Sequence, residues 1–303
     1  MKTQTSKLSR PSLKGKRFSN PSKPLRFLPG ACSCVLLLAA SALGQSLPSS
    51  GDASAKDLVR TVIANELRSQ TNESHWMYRV EREEQGKKTE KQVIQTAQGP
   101  IDRLMSVDAH PLTASQEQEE TNRIQHLIND SAEQRKNEQA RKREAEQCKE
   151  VFKMIPEAFI FHYAGTENNL LKLAYQPNPD FQSESRAAKV FHNLQGEMWV
   201  EPTQRRLVRM SGQLVADVKF AGGLLGYLQK GGHFDVQQKE LTHGEWEITS
   251  LVVDMQGKAL LFKSISVQQK ERRTNFQTVP GTLTYAEAAD MLNKQIILAS
   301  NNN

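Results

Sequence analysis

The 303-residue chain predicts an α+β fold. The expected architecture is an incomplete antiparallel β-barrel of about eleven strands, with N-terminal, central long and C-terminal helices. Three observations carry this. Short segments alternate apolar and polar residues between turn signals, as in Trp76–Glu81. One stretch, Ser115–Ile155, is rich in Glu, Gln, Lys, Arg and Ala and holds no Gly or Pro. A last apolar run follows Thr284 and Glu287, which have the spacing of a capping box.

Residues 1–44 read as a secretory leader. Eight basic residues (Lys2, Lys7, Arg10, Lys14, Lys16, Arg17, Lys23, Arg26) precede an apolar run, Ala31 to Leu43, with no Asp or Glu among them. The run ends in Ala42-Leu43-Gly44. Basic n-region, short h-region and small residues at the cut form a signal-peptide order. Removing the leader leaves 32 Lys and Arg against 34 Asp and Glu. The sequence pI of 9.1 therefore belongs to the leader, and the remaining chain is near neutral. That balance argues against nucleic acid, whose phosphates need a basic footprint. The alternative is an uncleaved anchor, for which the apolar run is short of the roughly 20 residues a spanning helix needs. The expected location is periplasmic or otherwise exported, with peripheral membrane contact at most. Cys32 and Cys34 lie in the leader. Cys148 is then expected as a buried small residue or a free thiol, without an internal disulfide.

Residues 45–53 form a Ser/Pro/Gly linker, and 54–303 a single domain with a helical insertion at about 115–155. A helix fits Ser54–Ser69, with Ser54 as N-cap and Leu58, Val59, Val62, Ile63 and Leu67 on one face. Trp76, Tyr78 and Val80 alternate with Met77, Arg79 and Glu81, which predicts a half-buried strand. Gln85-Gly86-Lys87 is a turn, and strands fit Gln92–Gln98 and Ile101–Val107. One straight helix over Ser115–Ile155 would be about 60 Å long, more than a globule of roughly 45 Å. Asn129-Asp130-Ser131 is the expected break, with Asp130 and Glu133 or Ser131 and Gln134 capping the second helix. Its end is expected at Pro156. Val151, Phe152 and Ile155 should be buried and Arg135–Arg143 solvated.

Beyond it, strands fit Phe159–Tyr163, Leu170–Gln176, Val190–Leu194, Glu197–Glu201, Arg206–Met210 and Gln213–Phe220. A meander of Phe234–Leu241, Trp246–Met255 and Ala259–Gln269 follows, with turns at His243-Gly244 and Gln256-Gly257-Lys258. A helix over Tyr285–Leu298 closes the domain.

No catalytic motif is present: there is no G-x-S-x-G, H-E-x-x-H, C-x-x-C or P-loop. The seven histidines are scattered. No catalytic residue, metal site or cofactor is assigned, and the chain reads as non-enzymatic. Leu224, Leu225 and Tyr227 sit between glycines, Gly222-Gly223 before them and Gly231-Gly232 after. They form either a lid over an apolar cavity or a packed corner. The aromatic residues Trp76, Tyr78, Phe161, Tyr163 and Trp199 are either core or the lining of a ligand cavity. The basic cluster Arg135, Lys136, Arg141, Lys142, Arg143 is a solvated helix face or a contact for anionic headgroups or a partner.

Leu194-Gln195-Gly196-Glu197-Met198-Trp199-Val200-Glu201-Pro202, followed by Arg206-Leu207-Val208-Arg209-Met210, resembles a segment of the outer-membrane lipoprotein-sorting proteins, the periplasmic lipoprotein carrier and receptor. The resemblance implies an exported half-barrel closed by helices. It also implies an acyl chain, lipid or lipoprotein bound on the concave face. The candidate lining, Trp76, Tyr78, Phe161, Tyr163, Trp199, Leu224, Leu225 and Tyr227, comes from the strand and loop reading and not from the resemblance. The alternative is an envelope interaction or scaffold protein with a filled barrel and a partner-binding long helix. A hydrolase without a recognisable motif is a third class.

Overall fold

The first hairpin sets the pattern of the sheet. Strand β1 (His75–Glu84) returns as β2 (Lys87–Ile94) through Gln85 and Gly86, at φ 51° and 80°. Two positive φ values suit the right-handed twist of a tight hairpin, and glycine takes the second at no steric cost. The expected turn is therefore present, but β2 starts five residues before the position read from sequence.

The structure is a computed structural model and describes residues 50–69, 75–182, 185–220, 226–259 and 263–300. The leader, Cys32, Cys34, Leu224, Leu225 and the Asn301–Asn303 tail lie outside the described residues.

Helix α1 (Ser50–Ser69) precedes β1, and β3 (Ile101–Val107) and β4 (His110–Pro111) follow β2. Next come α2 (Ala114–Asn129) and α3 (Ser131–Ala158), then β5 (Phe159–Glu167) and β6 (Leu170–Pro177). A short α4 (Arg186–Phe191) leads to β7 (Leu194–Glu201) and β8 (Arg206–Leu214). The rest is β9 (Val218–Phe220), β10 (Gly226–Leu228), β11 (His233–Thr242), β12 (Glu245–Ala259), β13 (Lys263–Val279) and α5 (Tyr285–Ser300). Among the described residues, thirteen strands join one antiparallel sheet of order β4-β3-β2-β1-β13-β12-β11-β8-β7-β6-β5, with β10 attached at β12 and β9 at β10. The two ends, β4 and β5, do not pair, so the barrel is incomplete.

Strand register carries Phe161 onto Tyr175, Leu173 onto Met198, Met198 onto Met210, Met210 onto Val236, and Phe234 onto Val253. These side chains share one face. Helix α1 lays Ala55, Val59, Val62 and Ile63 on it, and α3 adds Ile155 and Ala158, forming the main core. Full burial of each large side chain stabilises by about 1.5–3 kcal/mol. Phe159 meets the rings of Phe161, Tyr175 and Phe191 at 4.9–6.2 Å between centroids. The opposite face of the β1–β3 end packs Met77, Ile94 and Ile101 under Ile124 of α2 and Tyr285, Ala288, Ala289 and Leu292 of α5. Met77 is thus buried as well, so β1 is covered on both faces where it starts.

The long helix breaks where expected. Asp130 caps α3, its Oδ1 accepting from the Ala132 and Glu133 amides at 2.9 and 3.0 Å. Ile155 is buried, Val151 and Phe152 pack against the core, and Arg135, Lys136, Lys142 and Arg143 are exposed. Arg141 turns instead to the Gln98 carbonyl. Thr284 and Glu287 close a reciprocal cap on α5, with the Thr284 amide donating to Glu287 at 2.8 Å and the Glu287 amide donating to Thr284 Oγ1 at 3.3 Å.

Five expectations are corrected. Helix α1 starts at Ser50, so Ser54 lies inside it. Pro156 does not end α3, which runs on to Ala158; in its last turn the proline forfeits one backbone bond and is buried. Val190 and Phe191 close helix α4, whose cap is Ser185 accepting from the Ala188 amide at 3.0 Å. Gly257 is not a turn. It lies within β12, and a Cβ there would stand 2.1 Å from the Tyr227 carbonyl oxygen, so the glycine permits β10 to approach. Cys148, 1% exposed, is disulfide-bonded and not a free cysteine.

Candidate functional site

The strands that carry the main core have a second face, and no helix of the described residues lies on its centre. There the register aligns His162, Ala174, Glu197, Ser211 and Asp235 across β5, β6, β7, β8 and β11. The next row holds Gln195, Gln213 and His233, with Gln176 continuing it on β6. Together these residues line a groove of about 700 Å³. Ala174 and Ser211 are the short side chains of the first row, one on each side of Glu197.

Two glycines lie beneath the floor. Tyr175 reaches over β7 at Gly196, and its hydroxyl donates to the Ser211 carbonyl at 2.8 Å. A Cβ at Gly196 would meet that carbonyl oxygen at 1.9 Å and the Tyr175 hydroxyl at 2.7 Å. Burial pushes the Tyr175 phenol well above its ordinary pKa, so it stays a neutral donor. The floor is tied across three strands.

Charge in the groove is matched locally. Lys172 Nζ lies 2.9 Å from Glu197, and Arg209 Nη2 lies 2.6 Å from Asp235. The same two cations sandwich the Trp199 indole, with Lys172 at 5.0 Å and Arg209 at 4.5 Å from its ring centroid. The indole nitrogen donates to Glu167 at 3.0 Å. The Glu197 contact, ahead of the opposing burial, holds the Lys172 ammonium above its ordinary pKa.

The residues named from sequence separate. Trp199 borders the groove. Phe161, 1% exposed, belongs to the covered core. Trp76 and Tyr78 pack with Val80, Val93 and Phe276, with Tyr78 stacked on Phe276 at 5.2 Å. Tyr163, 44% exposed, stands on β5 beyond the helical cover. Tyr227 is half-buried within β10, paired with Lys219 and Lys258, so it belongs to a strand and not to a loop. Leu224 and Leu225 lie outside the described residues. Sequence reading missed Gln176, Gln195, Gln213 and His233, which look like ordinary solvent-facing strand positions until the register brings them together.

Among the described residues, one cluster has metal-ligand chemistry: His126, Asp130 and Glu133 at the α2–α3 joint. Capping by Asp130 and a 2.9 Å contact from His126 Nδ1 to Glu133 account for it as a helix joint. No helix of the described residues is long and apolar enough to cross a membrane.

No family model and no curated protein matches the chain. One solved structure is similar, a DUF1329 family protein from Desulfovibrio piger. It is 11% identical, and the match covers 78% of this chain and 97% of that one at a TM-score of 0.27. A likeness at that score carries no argument.

Proposed function

We propose that this is an exported, non-catalytic binding protein whose ligand occupies the open polar groove, while the apolar face of the sheet serves stability. One observation carries the reading. Phe159, Phe161, Leu173, Met198, Met210 and Val253 are each at most 5% exposed, on the face where an acyl chain would lie. They are filled in by α1 and α3. That supports the interaction-protein reading over a lipid or lipoprotein carrier. Glu197 and Asp235 are each engaged by a cation, Lys172 and Arg209, which supports a role in holding the groove's shape. Native mass spectrometry of protein purified from its own envelope tests it. The expected result is the mass of the chain alone, or with a polar adduct. A stoichiometric acyl lipid would overturn the reading and restore the carrier.

A second surface is favoured by exposure. Arg135, Lys136 and Arg143 point away from the domain, whereas Lys142 pairs with Glu138 at 2.6 Å. These cations suit contact with an envelope partner.

The exported location rests on the leader, and the exported chain is expected to start at or near Gln45. Intact mass and N-terminal sequencing of the exported form decide the point. An unprocessed N-terminus in membranes would point to an anchor.

A further inference from the structure

We infer that the groove takes a neutral glycan chain lying across the strands. The inference rests on the groove reading above and deepens it.

Gln176, Gln195, Gln213 and His233 stand on successive neighbours β6, β7, β8 and β11, and all four are exposed. Neighbouring strands lie about 4.8 Å apart, so this row offers polar side chains at that repeat, perpendicular to the strands. Each glutamine offers one carbonyl acceptor and two amide donors. A hydroxyl is both donor and acceptor, so a row of amides can satisfy a row of sugar hydroxyls without net charge. Glu197 and Asp235 border the row from the floor and can accept further hydroxyls, because each cation partner leaves lone pairs open.

Other occupants fit less well. An extended peptide repeats its backbone about every 3.4 Å and its side chains about every 6.8 Å, neither of which matches the row. A peptide binding as an added strand needs a free sheet edge. Here β6, β7 and β8 are paired on both sides. A polyanion needs unmatched cations, and Lys172 and Arg209 are already engaged by Glu197 and Asp235. An acyl chain would cover the amides and imidazole of the row without offering them any hydrogen-bond partner. The volume of about 700 Å³ lies within the roughly 300–1,000 Å³ of small-ligand sites. Trp199 is covered on both faces by its cations, so hydrogen bonds and not ring stacking would hold the sugar.

The test uses the full chain as exported. It is applied to an array of neutral, N-acetylated and acidic oligosaccharides, and the best binder is titrated calorimetrically. Binding to neutral chains, unaffected by added salt, is expected. The double variant Gln195→Ala, Gln213→Ala should bind about tenfold or more weakly, the loss of two modest hydrogen bonds. Its melting temperature should not change, which separates lost contacts from lost fold. Three results overturn the glycan: no oligosaccharide bound, salt-sensitive preference for acidic chains, or binding unchanged in the double variant. A photo-crosslinker at Gln195 distinguishes the two levels of the reading. Capture of a protein there removes the glycan and keeps the groove as a binding site. No capture, together with a copurified acyl lipid, removes both.

Discussion

The two halves of the sheet bury the same face by different means. Register carries the apolar face of β12 onto β13 without a shift, Val253 opposite Gln269 and Leu251 opposite Glu271. On one side of that line lies the apolar core under α1. On the other, Glu271 sits 3% exposed between Arg273 at 2.8 Å and Arg82, and Asp102 lies 2.7 Å from Lys91 and 3.6 Å from Arg123. Burial alone would raise both carboxyls, yet their cations hold them below the ordinary carboxylate range. The same period-2 pattern thus builds one half on a single large apolar core and the other on smaller apolar clusters joined by buried ion pairs. The groove stands on the first kind, where the buried ion pair Glu66–Arg206 at 2.8 Å ties α1 to β8.

The largest effect that separates the halves should come from Phe159→Ala. It removes a ring fully enclosed by Phe161, Tyr175 and Phe191. The expected loss is about 3–5 kcal/mol, or roughly 10 °C in melting temperature, with no dependence on salt. Glu271→Gln should cost about 3 kcal/mol, because it leaves Arg273, 11% exposed, without its carboxylate. Replacing Glu271 and Arg273 together by Met should recover part of that loss, since Arg82 also loses its Glu271 contact. If the double change is worse than the single one, the ionic half owes more to its charges than the comparison allows. Denaturant unfolding monitored by circular dichroism measures all three.

Acid gives a smaller and more local effect. Asp102 and Glu271 have folded pKa values below their unfolded ones, so their contribution is complete above the unfolded value and fades as pH falls through the lower folded value. Glu247 opposes this in part, since burial raises its carboxyl and its protonation relieves that cost. Between about pH 6 and pH 3, hydrogen exchange should quicken in β1, β2, β3 and β13 before it does in β6, β7 and β8. Simultaneous loss of protection in both halves would count against the division.

Sequence revealed the elements better than the site, for a physical reason. Helix caps are local, so Thr284 with Glu287 and the break at Asp130 are visible within four residues. Alternation is local too, and Trp76, Tyr78 and Val80 lie on a strand as expected. What failed depended on distant chain. The Gly257 signal means a turn unless β10 is beside it, and Lys270–Val279 extends as strand because β1 is there to pair with it. Val190 and Phe191 read as strand because β-branched and aromatic residues favour one, until the Ser185 cap is counted. The groove depends wholly on register across five strands. Trp199 was legible as a notable residue, but nothing within β7 tells that Gln195 has Gln213 opposite it and His233 beyond.

The smallest expected effect sharpens the contrast between the two sides of β7. Gln195 and Gln213 project into solvent, and exposed substitutions away from special backbone stay within about 0.5 kcal/mol. Gly196, between Gln195 and Glu197, faces the other way. A methyl there would press on the Ser211 carbonyl and the Tyr175 hydroxyl, both fixed by the core. Gly196→Ala should therefore lower the melting temperature measurably, while Gln195→Ala with Gln213→Ala should leave it unchanged. Thermal unfolding of the two variants side by side is the measurement. A comparable drop in both would make the amides part of the framework, and the groove would lose its claim to be a surface shaped for something outside the chain.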